Sequence, residues 1–126
     1  MIKRRSPTPI LLTYVAGAYR APDYEGVRTN IRLAEQWAIA LAKKGYMPVT
    51  PHMQTAHFEL LAPTVSDEFW LAGTMELLRA CPAIFLIPEN WWCSKGARAE
   101  AAEALRLGKN FVGFITAEAA TAALSK

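Results

Sequence analysis

Ala83-Ile84-Phe85-Leu86-Ile87, then Pro88-Glu89-Asn90-Trp91-Trp92-Cys93, then Ser94-Lys95-Gly96-Ala97-Arg98-Ala99-Glu100: the reading of this run decides the fold. The first segment is continuously apolar and bounded by turn residues, as a strand buried on both faces of a parallel sheet is. The last opens an alanine-rich helix that is expected to reach about Leu107. A strand feeding a helix N-terminus is where open α/β sheets place ligands, outside the carboxyl ends of the strands. The first-turn N–H groups of such a helix have no intrahelical acceptor and the helix dipole is positive there, so an anion is favoured. Ser94 is a candidate N-cap with a hydroxyl to offer a ligand, and Gly96 lets a ligand approach the backbone. Glu100 follows Ser94 by about a turn and a half and can face the same crevice as a nucleophile or base.

Working outward, Ile10 to Ala16 reads as a first buried strand ending in Gly17-Ala18-Tyr19-Arg20-Ala21-Pro22-Asp23. Arg20 at a strand's carboxyl end can fork onto a phosphate or carboxylate; a loop arginine on the surface is the competing reading. Tyr24 to Lys44 is expected to be a helix with Val27, Ile31, Ala34, Ala38 and Leu41 on one buried face. Lys43-Lys44-Gly45 is its stop signal. Trp37 reads as core or interface. Tyr46 to Thr50 is a short strand whose Pro48 suits a sheet edge. His52 falls at the same end of the sheet as Gly17 and Ser94, whereas His57 reads as loop or helix surface.

Met53 to Val65 is an excursion with a short helix expected around Thr55 to Leu61. Ser66-Asp67-Glu68 caps a helix running to about Arg79, expected to bury Phe69, Ala72, Leu77 or Leu78, and Met75 in part. Cys81 reads as a small buried hydrophobe. Phe111 to Ile115 is the fourth strand, and Thr116 caps a last helix to about Leu124. The order of elements predicts an α/β three-layer Rossmann-like or flavodoxin-like domain with a parallel sheet of four to five strands. No GxGxxG follows the first strand, so dinucleotide binding lacks its usual support.

The chain has 126 residues, 52% hydrophobic and 20% charged, with a formal net charge of +3. That fits one globular domain and is a weak argument for nucleic acid, since three of the cations, Lys3, Arg4 and Arg5, fall on residues 1–8, expected to be a flexible arm. No apolar run approaches the roughly 18 residues of a membrane span. The basic N-terminus is not expected to be a signal peptide. Cys81 and Cys93 make no disulfide framework, so a reducing cytoplasm is expected. Neither histidine has a metal-like set of partners, and no metal is expected.

Taken together, Ala16-Gly17-Ala18-Tyr19-Arg20, the segment Gly45 to Pro48-Val49-Thr50-Pro51-His52, the helix–strand unit ending at Pro88, and Ser94-x-Gly96-x-x-x-Glu100 are a recognisable set. With them the chain resembles the nucleoside 2-deoxyribosyltransferase superfamily from Leu11 to Ile115. It is closest in pattern to the 2'-deoxynucleoside 5'-phosphate N-hydrolase branch and small uncharacterised relatives. The resemblance implies a single domain over residues 1–126 that acts on an N-glycosidic bond of a (deoxy)nucleoside or nucleoside 5'-monophosphate, without a cofactor. It implies that Glu100 attacks the anomeric carbon, forming a covalent sugar ester that water or a second base resolves. Ser94 would bind the 5'-phosphate with Gly96 and Arg20, while Gly17, Ala18, Tyr19 and His52 would line the pocket. Tyr14, Thr74, Glu76, Asn90 and Trp91 are secondary candidates. A homo-oligomer, a dimer or larger, is implied, with neither membrane nor nucleic acid as partner. Two positions depart from the pattern: Thr74 stands near where the family has an aspartate that orients the sugar or assists the leaving base, and Pro82 where a second aspartate is usual. A catalytically degenerate nucleotide-binding or sensing domain is therefore the alternative. Adjacent Trp91 and Trp92 suit either stacking on a base or a dimer contact.

Overall fold

The two central strands are the two most apolar runs of the chain. In the computed structural model, which describes residues 2–5 and 9–126, these are β1 (Leu11–Ala16) and β3 (Ala83–Leu86). Thr13 to Ala16 and all of β3 are buried. The less apolar β2 (Tyr46–Val49) and β4 (Asn110–Val112) form the edges. The sheet has four strands, all parallel, in the order β2-β1-β3-β4. Pro48 sits on an edge strand, as a residue without an amide donor should. The direction of strand order reverses between β1 and β3, whose registers pair Tyr14 with Ile84 and Ala16 with Leu86. The loops leaving these two strands therefore flank the topological switch point.

Helices cover both faces. On one lies α1 (Tyr24–Lys43), capped by Asp23, whose carboxylate accepts from the Gly26 N–H at 2.8 Å. Its Ala34, Ala38 and Leu41 are buried, and Ala34 and Leu41 pack with Val15, Phe85 and Ile87. Trp37 joins them, its ring centroid 5.2 Å from that of Phe85 and its indole N–H donating to Glu89. The other face carries α4 (Asp67–Ala80), α5 (Lys95–Arg106) and α6 (Ala117–Leu124). Leu78, Ala97, Ala101, Ala104 and Ala120 close over Tyr14, Ala16, Ile84 and Leu86 there. Burying each large aliphatic or aromatic side chain is worth roughly 1.5–3 kcal/mol, against about 1 kcal/mol for a cap. Layer packing therefore decides the fold, and the caps set its punctuation.

The arm expected over residues 1–8 is corrected where it is described. Ile2 is buried in the α1 layer, the Arg5 N–H donates to Lys44 O at 2.6 Å, and the Arg4 guanidinium donates to Lys43 O at 2.9 Å. An apolar second residue and the bare carbonyls ending α1 hold this segment; residues 1 and 6–8 lie outside the described ones. The single helix expected around Thr55 to Leu61 is instead two short ones, α2 (Pro51–Gln54) and α3 (Phe58–Leu61), separated by His57 at φ 65°. In α4 the expected phase was wrong at its start: Phe69 is 60% exposed and Ala72 is exposed. The inward stripe runs instead through Thr74, Leu77, Leu78 and Cys81, because only the second half of α4 reaches the sheet. β4 stops at Val112 rather than Ile115 because Gly113 turns the chain at φ 95°. A Cβ on Gly113 would stand 2.4 Å from the Phe85 ring, so glycine is required there twice over.

Candidate functional site

Ser94 caps α5 as its position predicts, its hydroxyl oxygen accepting from the Ala97 N–H at 3.1 Å. The alanines at 97, 101 and 104 press α5 onto the sheet, and their small size brings the helix close. Glu100 lies between the first two of these alanines and turns inward. Its carboxylate accepts a hydrogen bond from the hydroxyl of Tyr14, a residue of β1 that is 1% exposed. The Thr74 hydroxyl of α4 donates to Leu71 O at 3.1 Å and lies near enough to Glu100 to favour its ionised form. Burial pushes the Glu100 carboxyl up to about 7, against the pull of the two hydroxyl donors. Burial, with the Glu100 charge beside it, drives the Tyr14 phenol far above its ordinary value, so it remains a donor. Near neutral pH Glu100 is thus present in both forms, able to attack as a carboxylate or to carry a proton.

The loop after β1 is held from both sides. Asn90, from the loop after β3, accepts from the Ala18 N–H at 3.0 Å across the switch point. His52 places Nε2 at 3.0 Å from Gly17 O and 3.1 Å from Ala18 O, and two carbonyl neighbours require that nitrogen to carry the proton. His52 is 6% exposed, and burial lowers its pKa, so the ring is neutral. It supports the loop from behind instead of lining an open pocket. Gly17 is needed for close approach, since a Cβ would stand 2.4 Å from Ile87 Cδ1 and 2.9 Å from Asn90 Oδ1.

The remaining candidates divide. Tyr19 donates to Glu59 at 2.9 Å and accepts from the His57 N–H at 2.9 Å, which engages its hydroxyl with α3. Arg20 pairs with Asp67 at 2.7 Å, both side chains 63% exposed, a geometry weak enough for a phosphate to displace. At Gly96 a built Cβ would meet Leu71 Cδ2 at 4.0 Å, an ordinary contact, so close packing does not demand a glycine there. Trp91 is 3% exposed within the core, which corrects its candidacy as a stacking platform; Trp92, 54% exposed, is free to contact a partner or ligand. Glu76 is exposed and bonded to Arg79, away from Glu100. Glu59 and Asp67, the partners of Tyr19 and Arg20, carried no signal in the sequence, because each is defined by a tertiary contact.

A groove of about 610 Å³ lies elsewhere, at the β2 edge, lined by Glu35, Ala38, Ile39, Pro48, Val49 and Met53 among others. None of the candidate residues lines it. Its lining is mostly apolar. Among the described residues no group of His, Cys, Asp and Glu is arranged to hold a metal ion, and no helix is long and apolar enough to cross a membrane. A scan against protein-family models and searches of curated proteins and of solved structures return no match to the chain.

Proposed function

We propose that the protein cleaves or transfers at the N-glycosidic bond of a (deoxy)nucleoside or nucleoside 5'-monophosphate, with Glu100 as nucleophile. One observation carries the reading. A half-buried carboxylate that accepts from the Tyr14 hydroxyl sits on the helix whose capped N-terminus follows β3 at the switch point of a parallel sheet. The first turn of α5, with Ser94 and Gly96, would receive a 5'-phosphate on its free amides, and Arg20 would exchange Asp67 for it. The Gly17–Ala18 loop, fixed by His52 and Asn90, would form the wall beside the sugar. Glu100, ionised, would attack the anomeric carbon, and the Tyr14 hydroxyl would hold the attacking carboxylate in place. The resemblance to the 2-deoxyribosyltransferase superfamily supports the same reading and adds a homo-oligomer as its form. The test is base release from a panel of deoxynucleotides: Glu100→Gln should abolish it, and unchanged release in that variant sinks the proposal.

A second reading is a domain that kept the crevice and lost turnover. What favours it is Thr74, a neutral hydroxyl at Glu100 where a second acid would be expected to assist the leaving base. Calorimetry showing nucleotide binding with no base released would select it.

A further inference from the structure

Cleaving the N-glycosidic bond of an ordinary nucleoside makes two demands. The sugar needs a carboxylate to meet the developing cation, and the departing base, a poor leaving group as an anion, needs a proton. Enzymes that break glycosidic bonds meet both with a pair of carboxyl groups. Here the side chain hydrogen-bonded to Glu100 is Tyr14, with the Thr74 hydroxyl nearby, and among the described residues no second carboxylate joins them. Tyr14, with a phenol held far above its usual range, is a hydrogen-bond donor and a very poor acid. Glu103 is engaged with Arg79 and Arg106, Glu76 with Arg79, Glu59 with Tyr19 and Glu89 with Trp37. Glu100 cannot be ionised for the sugar and protonated for the base in the same step. No salt bridge among the described residues reaches Glu100, so its negative form, half-buried against Tyr14, has no counter-charge.

Both deficits are removed by one kind of substrate. We infer that the Glu100 site takes a nucleotide whose base is already a cation, a pyridinium or N-alkylated purine N-glycoside. This inference rests on the glycosidic reading of the site. In such a compound the C1'–N bond breaks with its electron pair passing to the ring nitrogen, and the base leaves as a neutral molecule with no proton transfer. The Glu100 carboxylate forms a bond to C1'. Water then adds to C1' as that ester bond breaks and its pair returns to the carboxylate, and one proton of the water passes to solvent. The sum is cationic nucleoside plus water giving free sugar, neutral base and a proton. Before reaction, the cationic ring supplies the missing counter-charge, favouring ionised Glu100.

The experiment pairs nicotinamide mononucleotide with its reduced form, which has a neutral ring of nearly the same shape and the same phosphate. Binding of both is measured by calorimetry at pH 6 and pH 8, beside base release from the oxidised form and from neutral deoxynucleotides. The expected result is tighter binding of the cationic form at pH 8, by about tenfold, the factor carried by one pKa unit of Glu100. The preference should shrink at pH 6 and disappear in Glu100→Gln, which still binds the reduced form, and free nicotinamide should be released by the unaltered protein alone. Equal or tighter binding of the reduced form overturns the inference. So does release from neutral deoxynucleotides at rates matching the cationic one, an outcome that leaves the glycosidic reading standing. Preferential binding without release overturns the cleavage step, and no release from either class removes both readings.

Discussion

Because the Tyr14 hydroxyl donates to Glu100, it stabilises the ionised form of the acid it touches and holds the carboxyl lower than burial alone would. Tyr14→Phe removes that donor and keeps the ring in the core. The rising limb of the pH–rate profile, set by ionisation of Glu100 with its pKa of about 7, should then move to higher pH. Stability should fall by about 1 kcal/mol for the lost hydrogen bond. A limb that stays in place would show that Glu100 is not the titrating group. Gly17 acts through space: its missing Cβ lets Ile87 and Asn90 approach, and Asn90 holds the Ala18 amide. Gly17→Ala should cost about 1–3 kcal/mol by overpacking, read as a lowered denaturation midpoint. It should also weaken nucleotide binding, whereas the same substitution at Gly73, where a Cβ meets nothing within 4 Å, should do neither.

At the next scale up, α5 owes its start to Ser94, whose oxygen already serves the Ala97 amide. Ser94→Ala should cost about 1 kcal/mol in a denaturant titration. If Ser94 also meets a phosphate, the variant should lose more affinity for a nucleoside 5'-monophosphate than for the bare nucleoside; equal losses confine it to capping. Boundaries of this kind were legible. Asp23, Ser66, Ser94 and Thr116 each cap the helix that follows, and Gly45 ends α1 with a positive φ as its sequence signal predicts. What was not legible depended on a second element. Phe69 is as apolar as a core residue, but the first half of α4 overhangs the sheet. Ile115 belongs to an apolar run, but Gly113 must turn beside Phe85. Ile2 looked like part of an arm because the groove that receives it is built by α1 and the sheet. In the candidate site, Ser94, Gly96 and Glu100 came from one segment and could be read locally. The Tyr14–Glu100 bond and the Asn90–Ala18 bond join residues far apart in sequence, and pattern alone places no such pair.

For the whole molecule, Glu100 and His52 give stability opposite dependences on pH. Glu100 has a folded pKa raised from 4.5 to about 7, so between those values the native state holds a proton that the unfolded chain has lost. Its contribution is full below 4.5 and is lost as pH rises toward 7, making stability fall with pH across that window. His52 is depressed below its ordinary 6.5, so below that value the unfolded chain binds a proton that the native state refuses. Its contribution is present above 6.5 and is lost as pH falls, making stability rise with pH up to that value. Below 6.5 the two slopes oppose and the parent protein should show a muted dependence from this pair; between 6.5 and 7 the Glu100 slope stands alone. Glu100→Gln should therefore gain stability at pH 8, by about 2 kcal/mol once solvent exposure is allowed for. Its profile should climb to 6.5 and level off, whereas His52→Gln should leave a profile that declines through to 7. Denaturant titrations of the parent, the two single variants and the double variant from pH 5 to pH 8 separate these curves. If Glu100→Gln is no more stable than the parent at pH 8, the carboxylate is not held in its costly buried form, and the chemistry assigned to it loses its physical basis.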